Sequence, residues 1–159
     1  MTLYKFLAAL AGAVIAYVLF NEYQNPGSGL AVLTGPSQPV MALAKAISVA
    51  EGFGEAGAIP TLANNPGDIT DVGQNLPGDT GQRLGAGIIV FATATDGWNA
   101  LYAQATRMLS GTDSLYPASD TLQAVGGVYA NDPVGWPANV AAQLGVSINT
   151  TLGQLAGNA

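Results

Sequence analysis

A chain of 159 residues is long enough for one domain with a hydrophobic core and too short for two sizeable ones. Charged residues make up only 9%, and the net charge of −6 reflects a scarcity of bases, which excludes the cation cluster that a nucleic-acid partner demands. With no cysteine and no histidine, disulfides, thiol nucleophiles, Ser-His-Asp catalysis and His/Cys zinc sites are excluded, no metal or cofactor is expected, and acid–base chemistry falls to carboxylates, tyrosine or lysine.

The first predicted element is an apolar helix over residues 3–20, LYKFLAALAGAVIAYVLF, whose only charge is Lys5. Helical geometry gives this stretch a length of about 27 Å, close to the roughly 30 Å hydrocarbon core of a bilayer. Lys5 can reach a headgroup, and Tyr4, Tyr17 and Tyr23 lie near the ends, where aromatic residues favour the interface. Residues 1–20 therefore read as a single-pass transmembrane anchor, with lipid as its partner and the remainder extracytoplasmic. A cleaved signal peptide is the alternative, although no small-x-small site follows Phe20. Residues 21–38 are rich in Gly, Pro, Ser and Asn and read as a tether, leaving 39–159 for the folded domain.

That domain begins with a helix for which Ser37 is the expected N-cap and Pro39 a first-turn residue. Val40, Ala44, Ile47 and Glu51 recur at helical spacing on one face, and Gly52 and Gly54 supply the stop. Residues 54–85, punctuated by Pro60, Pro66 and Pro77, read as irregular. The apolar, β-branched run GAGIIVFAT at 85–93 predicts a strand, with the stretch around Ile69 and Val72 as its expected partner. Helical patterns follow at 96–110, 121–130, 137–144 and, more weakly, 151–156, with starts expected at Asp96, Ser119 and the Trp136-Pro137 pair. One helix, a loop-rich β region and several further helices make an α+β fold, mainly α.

Glu51 is the residue around which chemistry is expected. It is the one ionisable group on the apolar face of its helix and it sits in the last turn. Desolvation and the partial negative charge of a helix C-terminus both disfavour its ionised form. A carboxylic acid kept protonated near neutral pH suits the departure of a glycosidic oxygen, which needs a proton as the C–O bond breaks. A glutamate at a frayed helix end facing water is the plainer alternative.

Three stretches, AISVAEGFGEAGAIPTLANNPGDI, VFATATDGWNAL and VYANDPVGWPANVAAQLGVSINTTL, together resemble the lysozyme-like transglycosylase and muramidase domains of phage and prophage proteins. The resemblance covers residues 40–152. It implies a lysozyme-like fold and cleavage of peptidoglycan between N-acetylmuramic acid and N-acetylglucosamine, with Glu51 as the single acid and then base. Asn64, Asn65, Pro66, Gly67 and Asp68 match the family's loop. Amide side chains there would meet sugar acetamides and hydroxyls, or else cap backbone groups. Asp68 stands where family members often carry Asn; it could orient a water, stabilise an oxocarbenium-like centre or hold its own loop. Glu55, on a glycine-flanked loop, is expected in solvent.

Phe91, Trp98, Tyr129 and Trp136 are the aromatic residues placed to build a sugar groove. Core packing is the competing role for Phe91 and Trp98, whereas Tyr129 and Trp136 flank an Asn131-Asp132-Pro133 turn and are expected at a rim. Asn139 would cap its helix or bind sugar. The expected activity is thus that of a membrane-tethered or virion-associated peptidoglycan-cleaving enzyme, with glycan strands and other envelope or virion proteins as its partners. A non-catalytic structural or glycan-binding protein using the same fold is the alternative. The residues leave open whether a muramic hydroxyl or water completes the reaction.

Overall fold

Apolar residues at helical spacing and a proline in the first turn produce α1 (Gln38–Ala50), whose N-cap residue Ser37 is extended but makes no side-chain capping bond. Val40, Leu43, Ala44, Ala46 and Ile47 are buried along one face. The helix ends in a closed C-terminal motif. The N–H of Phe53 donates to Ser48 O at 2.9 Å and that of Gly52 to Val49 O at 3.1 Å, and Gly52 supplies the left-handed φ of 77° the closure needs. Glu51, as the C-cap, is therefore held at the terminus of a well-finished helix. The computed structural model describes residues 35–70, 75–130 and 132–157. The predicted anchor and tether, apart from its last residues, lie outside them. Among the described residues no helix is long and apolar enough to cross a membrane.

The segment expected to be irregular contains two further elements. A single short helix, α2 (Ile59–Leu62), opens on Pro60. β1 (Asp79–Leu84) then pairs antiparallel with β2 (Ile88–Phe91) across a turn at residues 85–87. Their register runs Leu84 opposite Ile88 and Arg83 opposite Ile89, with an irregularity before Asp79 meets Phe91. The expected pairing of β2 with the stretch around Ile69 is present as an antiparallel bridge between Thr70 and Ile88 and the bond from Ile89 N–H to Ile69 O at 3.0 Å, while β1, which was not expected, carries the ladder; Val72 lies outside the described residues. β1 is a polar strand, DTGQRL, tied by the paired side chains of Arg83 and Asp79 at 2.8 Å.

Four helices complete the domain: α3 (Ala94–Ser110), α4 (Leu122–Tyr129), α5 (Gly135–Leu144) and α6 (Leu152–Gly157). Their starts differ from the expected ones because the capping side chains differ. Thr93, not Asp96, caps α3, and Asp96 returns the favour from the third position in a capping box. Thr121, not Ser119, caps α4 through Ala124 N–H. At α5, Asp132 reaches forward to accept the N–H groups of Val134, Gly135 and Trp136 at 2.8–3.0 Å, so the helix begins ahead of Pro137.

The fold is mixed α and β and mainly helical, with a two-stranded sheet. α1 lies against α3 and α5. Its buried face joins Leu101, Ala105 and Met108 of α3, Leu122 and Val125 of α4, Trp136 and Val140 of α5 and Leu152 of α6 in one core. Ile89 and Phe91 form a smaller cluster with Ala100 beneath the hairpin. One close approach joins the two regions. A Cβ on Gly97, in the first turn of α3, would stand 1.8 Å from Asn64 O, so only glycine lets the loop at 64–68 settle on that helix.

Candidate active site

The end of α1, the loop at 64–68, the end of α4 and the start of α5 converge on the Glu51 carboxyl. Trp136, 85 residues away along the chain, donates its indole Nε1–H to Glu51 Oε1 at 2.7 Å. The Trp136 ring is itself buried, 3% exposed, and lies against the Tyr129 ring with centroids 5.2 Å apart. Tyr129 in turn donates its hydroxyl to Gly67 O, and Tyr116 lies behind it at 6.5 Å between centroids. A chain of aromatic contacts thus runs from the carboxyl to the loop and fixes both.

The electrostatics follow from this enclosure. Glu51 is half-buried, and burial pushes its carboxyl up from an ordinary 4.5 to about 7; the Trp136 hydrogen bond works against the rise and the nearby charge of Asp68 adds to it. The Asp68 carboxyl is also raised by burial. The Tyr129 hydroxyl is pushed well above the usual phenol range, first by burial and then by Glu51, Tyr116 and Asp68, so it stays a neutral donor. The arrangement is a carboxylic acid that holds its proton near neutrality, a second carboxylate within electrostatic reach, and a rigid aromatic backing. Such a set can give and take a proton at one atom. Among the described residues no group of three or more His, Cys, Asp or Glu side chains could hold a metal ion.

Glu51, Asp68, Tyr129 and Trp136 are therefore brought together, whereas the two asparagines serve the loop. Asn65 is fully buried. Its Nδ2 donates to Ile69 O and Ile89 O, both at 2.9 Å, while its Oδ1 accepts Ile69 N–H at 2.9 Å. Both amide hydrogens are spent and the side chain has no access to a sugar, so the expected substrate-binding role of Asn65 is corrected to pinning the loop onto β2. Asn64, part-buried and at a left-handed φ of 53°, donates its Nδ2 to Phe91 O at 3.1 Å, a second tie between the loop and β2. Trp136 is corrected as well: a ring this deeply buried offers no stacking face at a rim, and what it presents to the site is its N–H.

Phe91 is core. Trp98 is half-buried between Phe53, edge-on at 5.8 Å, and Tyr102, tilted at 5.6 Å. Sequence reasoning did not single out Phe53 or Tyr102. The position of Phe53 two residues after Glu51, and of Tyr102 one helical turn after Trp98, were the signals that could have found them. Glu55 and Asn139 are exposed. A cavity of about 270 Å³ lies by the N-terminal half of α1, lined by Pro39, Leu43, Leu144, Val146 and Leu155; neither Glu51 nor any other titratable residue lines it.

Comparison of the chain with protein-family models, with characterised proteins and with solved structures returns no match.

Proposed function

We propose that this chain is a peptidoglycan-cleaving enzyme with a lysozyme-like domain at residues 39–159, acting on the glycosidic bond between N-acetylmuramic acid and N-acetylglucosamine. The single observation that carries this reading is the half-buried Glu51 carboxyl, held by the Trp136 indole at 2.7 Å and raised to about 7. A glycosidic oxygen is a poor leaving group unless it is protonated as it departs. An ordinary exposed glutamate is almost wholly ionised at neutral pH, whereas an acid with a midpoint near 7 keeps a large share of its protons. Once it has given its proton, the same group is a carboxylate with enough basicity to take one back. The rigid side chains behind Glu51 hold its acid oxygen in place, which lowers the entropic cost of meeting the substrate.

The apolar segment at residues 3–20 serves in this proposal as a membrane tether. It supplies the local concentration that a chain of net charge −6 cannot gain by long-range attraction to an anionic wall. Glu51→Gln tests the assignment. The variant keeps the shape and the acceptor oxygen for Trp136 but has no proton of the required acidity. Release of soluble muropeptides from purified sacculi should fall by about 10²–10⁴-fold. Equal release by variant and wild type refutes the role of Glu51. Sacculus binding without release by either protein identifies a glycan-binding module instead.

A further inference from the structure

The two oxygens of the Glu51 carboxyl are set apart by what surrounds them. Oε1 accepts the Trp136 indole N–H at 2.7 Å. Oε2 has no hydrogen-bond partner among the described residues and, unlike Asp68 Oδ1, is not closed to solvent. An indole nitrogen can only donate, so the oxygen it faces must offer a lone pair. A carboxylic acid offers that best at its carbonyl oxygen, because the other oxygen shares its electron density with the proton. The donor is fixed. Its ring is buried and lies against Tyr129 at 5.2 Å between centroids, and its backbone N–H is held by Asp132 Oδ2 at 3.0 Å in the first turn of α5. A tryptophan kept for packing alone could spend its N–H on a backbone carbonyl. This one spends it on the group that titrates.

We propose that Trp136 is a positioning residue for the reaction at Glu51: by holding Oε1 as an acceptor, it assigns the transferable proton to Oε2. This rests on the glycosidase reading above and adds to it the atom that acts and the group that selects it. Oε2 passes its proton to the glycosidic oxygen, which keeps the electron pair of the breaking bond to C1, and the carboxyl becomes a carboxylate. The hydroxyl that closes on C1, from water or from the muramic sugar, then gives its proton to Oε2 and restores the acid. The indole bond follows this cycle of charge, since a bond to a carboxylate is roughly twice as strong as one to a neutral acid. The gain arises as the proton leaves, so it lowers the barrier rather than the ground state. It opposes burial, which raises the Glu51 carboxyl; the charge of Asp68 on the loop acts in the same direction as burial, and the Tyr129 hydroxyl of α4 stays neutral.

The test compares the full chain in detergent with Trp136→Phe, which keeps a buried ring and removes the N–H. Muropeptide release from purified sacculi is followed against pH, and the Glu51 carboxyl is titrated by NMR. The variant should lose about 10–100-fold of release where Glu51 is protonated. Its Glu51 midpoint and the alkaline limb of its release profile should both move upward by about one pH unit. A loss that is equal at every pH, with midpoint and limb in place, would mark a merely structural role and overturn the proposal. A second measurement needs no variant of Trp136. In wild type the Trp136 indole N–H resonance should shift with the midpoint of Glu51, about 7, and lose that step in Glu51→Gln, while the Trp98 indole should not follow. An indole that ignores the titration of Glu51, in a chain whose release Glu51→Gln abolishes, would overturn the role of Trp136 and leave that of Glu51 standing. Absence of any release by wild type would overturn both proposals together.

Discussion

The loop at residues 64–68 and the wall formed by Glu51, Tyr129 and Trp136 use polar side chains in opposite ways. In the loop, the buried amide of Asn65 is committed to backbone groups on both its nitrogen and its oxygen, so its energy goes into shape. In the wall, one hydrogen bond from Trp136 holds a carboxyl that burial has left with an ionisation close to neutrality. Asp68 lies in the loop but behaves like the wall, buried in part and with one oxygen unpartnered among the described residues. The difference teaches a general test for such a cleft. A polar group whose bonding capacity is exhausted by its own chain is architecture, and one with capacity left over is available for chemistry.

This contrast breaks most visibly at Asn65. Replacing it with alanine removes two donated bonds and one accepted bond at a fully buried position; Ile89 O and Ile69 N–H lose the bonds Asn65 gave them, while Ile69 O keeps the bond from Ile89 N–H. A loss of about 3–5 kcal/mol is expected in denaturant unfolding. A loss below about 1 kcal/mol would show that the amide is not the pin of the loop.

At Glu51 the sign reverses. Its carboxyl titrates at about 7 in the fold against 4.5 when unperturbed, so between those values the folded chain binds more protons than the unfolded one. Stability therefore falls as pH rises through that window and stays low above it. Because Glu51 is only half-buried, solvent screening holds the penalty to about 1–2 kcal/mol. Glu51→Gln should be more stable than wild type by that amount above the window and equal to it below. Unfolding curves across the window check this; a variant that is weaker at every pH would place Glu51 with the architectural residues.

Much of the frame was legible in the chain itself. The apolar repeat of α1, its proline start and its Gly52 stop follow from spacing alone, and so does the placing of Glu51 at the end of a buried face. β1 was not legible, because DTGQRL is a polar and largely exposed strand with no alternation to betray it. α2 is a single turn, too short for any period. The role of Asn65 lay beyond reach for a different reason. An asparagine in a turn serves equally as pin or ligand, and the carbonyl of Ile89 that decides the matter belongs to a strand 24 residues on. Trp136 was expected at a rim because a turn precedes it. Only the folded core shows that its ring faces inward and its N–H meets a carboxyl 85 residues earlier.

The most direct measurement is the titration of the Glu51 side-chain carboxyl carbon by NMR, resolved from Glu22 and Glu55 by comparison with Glu51→Gln. A midpoint close to 7 is the predicted result, since burial outweighs the stabilising bond from Trp136. A midpoint near 4.5, the value of a carboxyl in water, would contradict it and remove the proton on which the proposed bond cleavage depends.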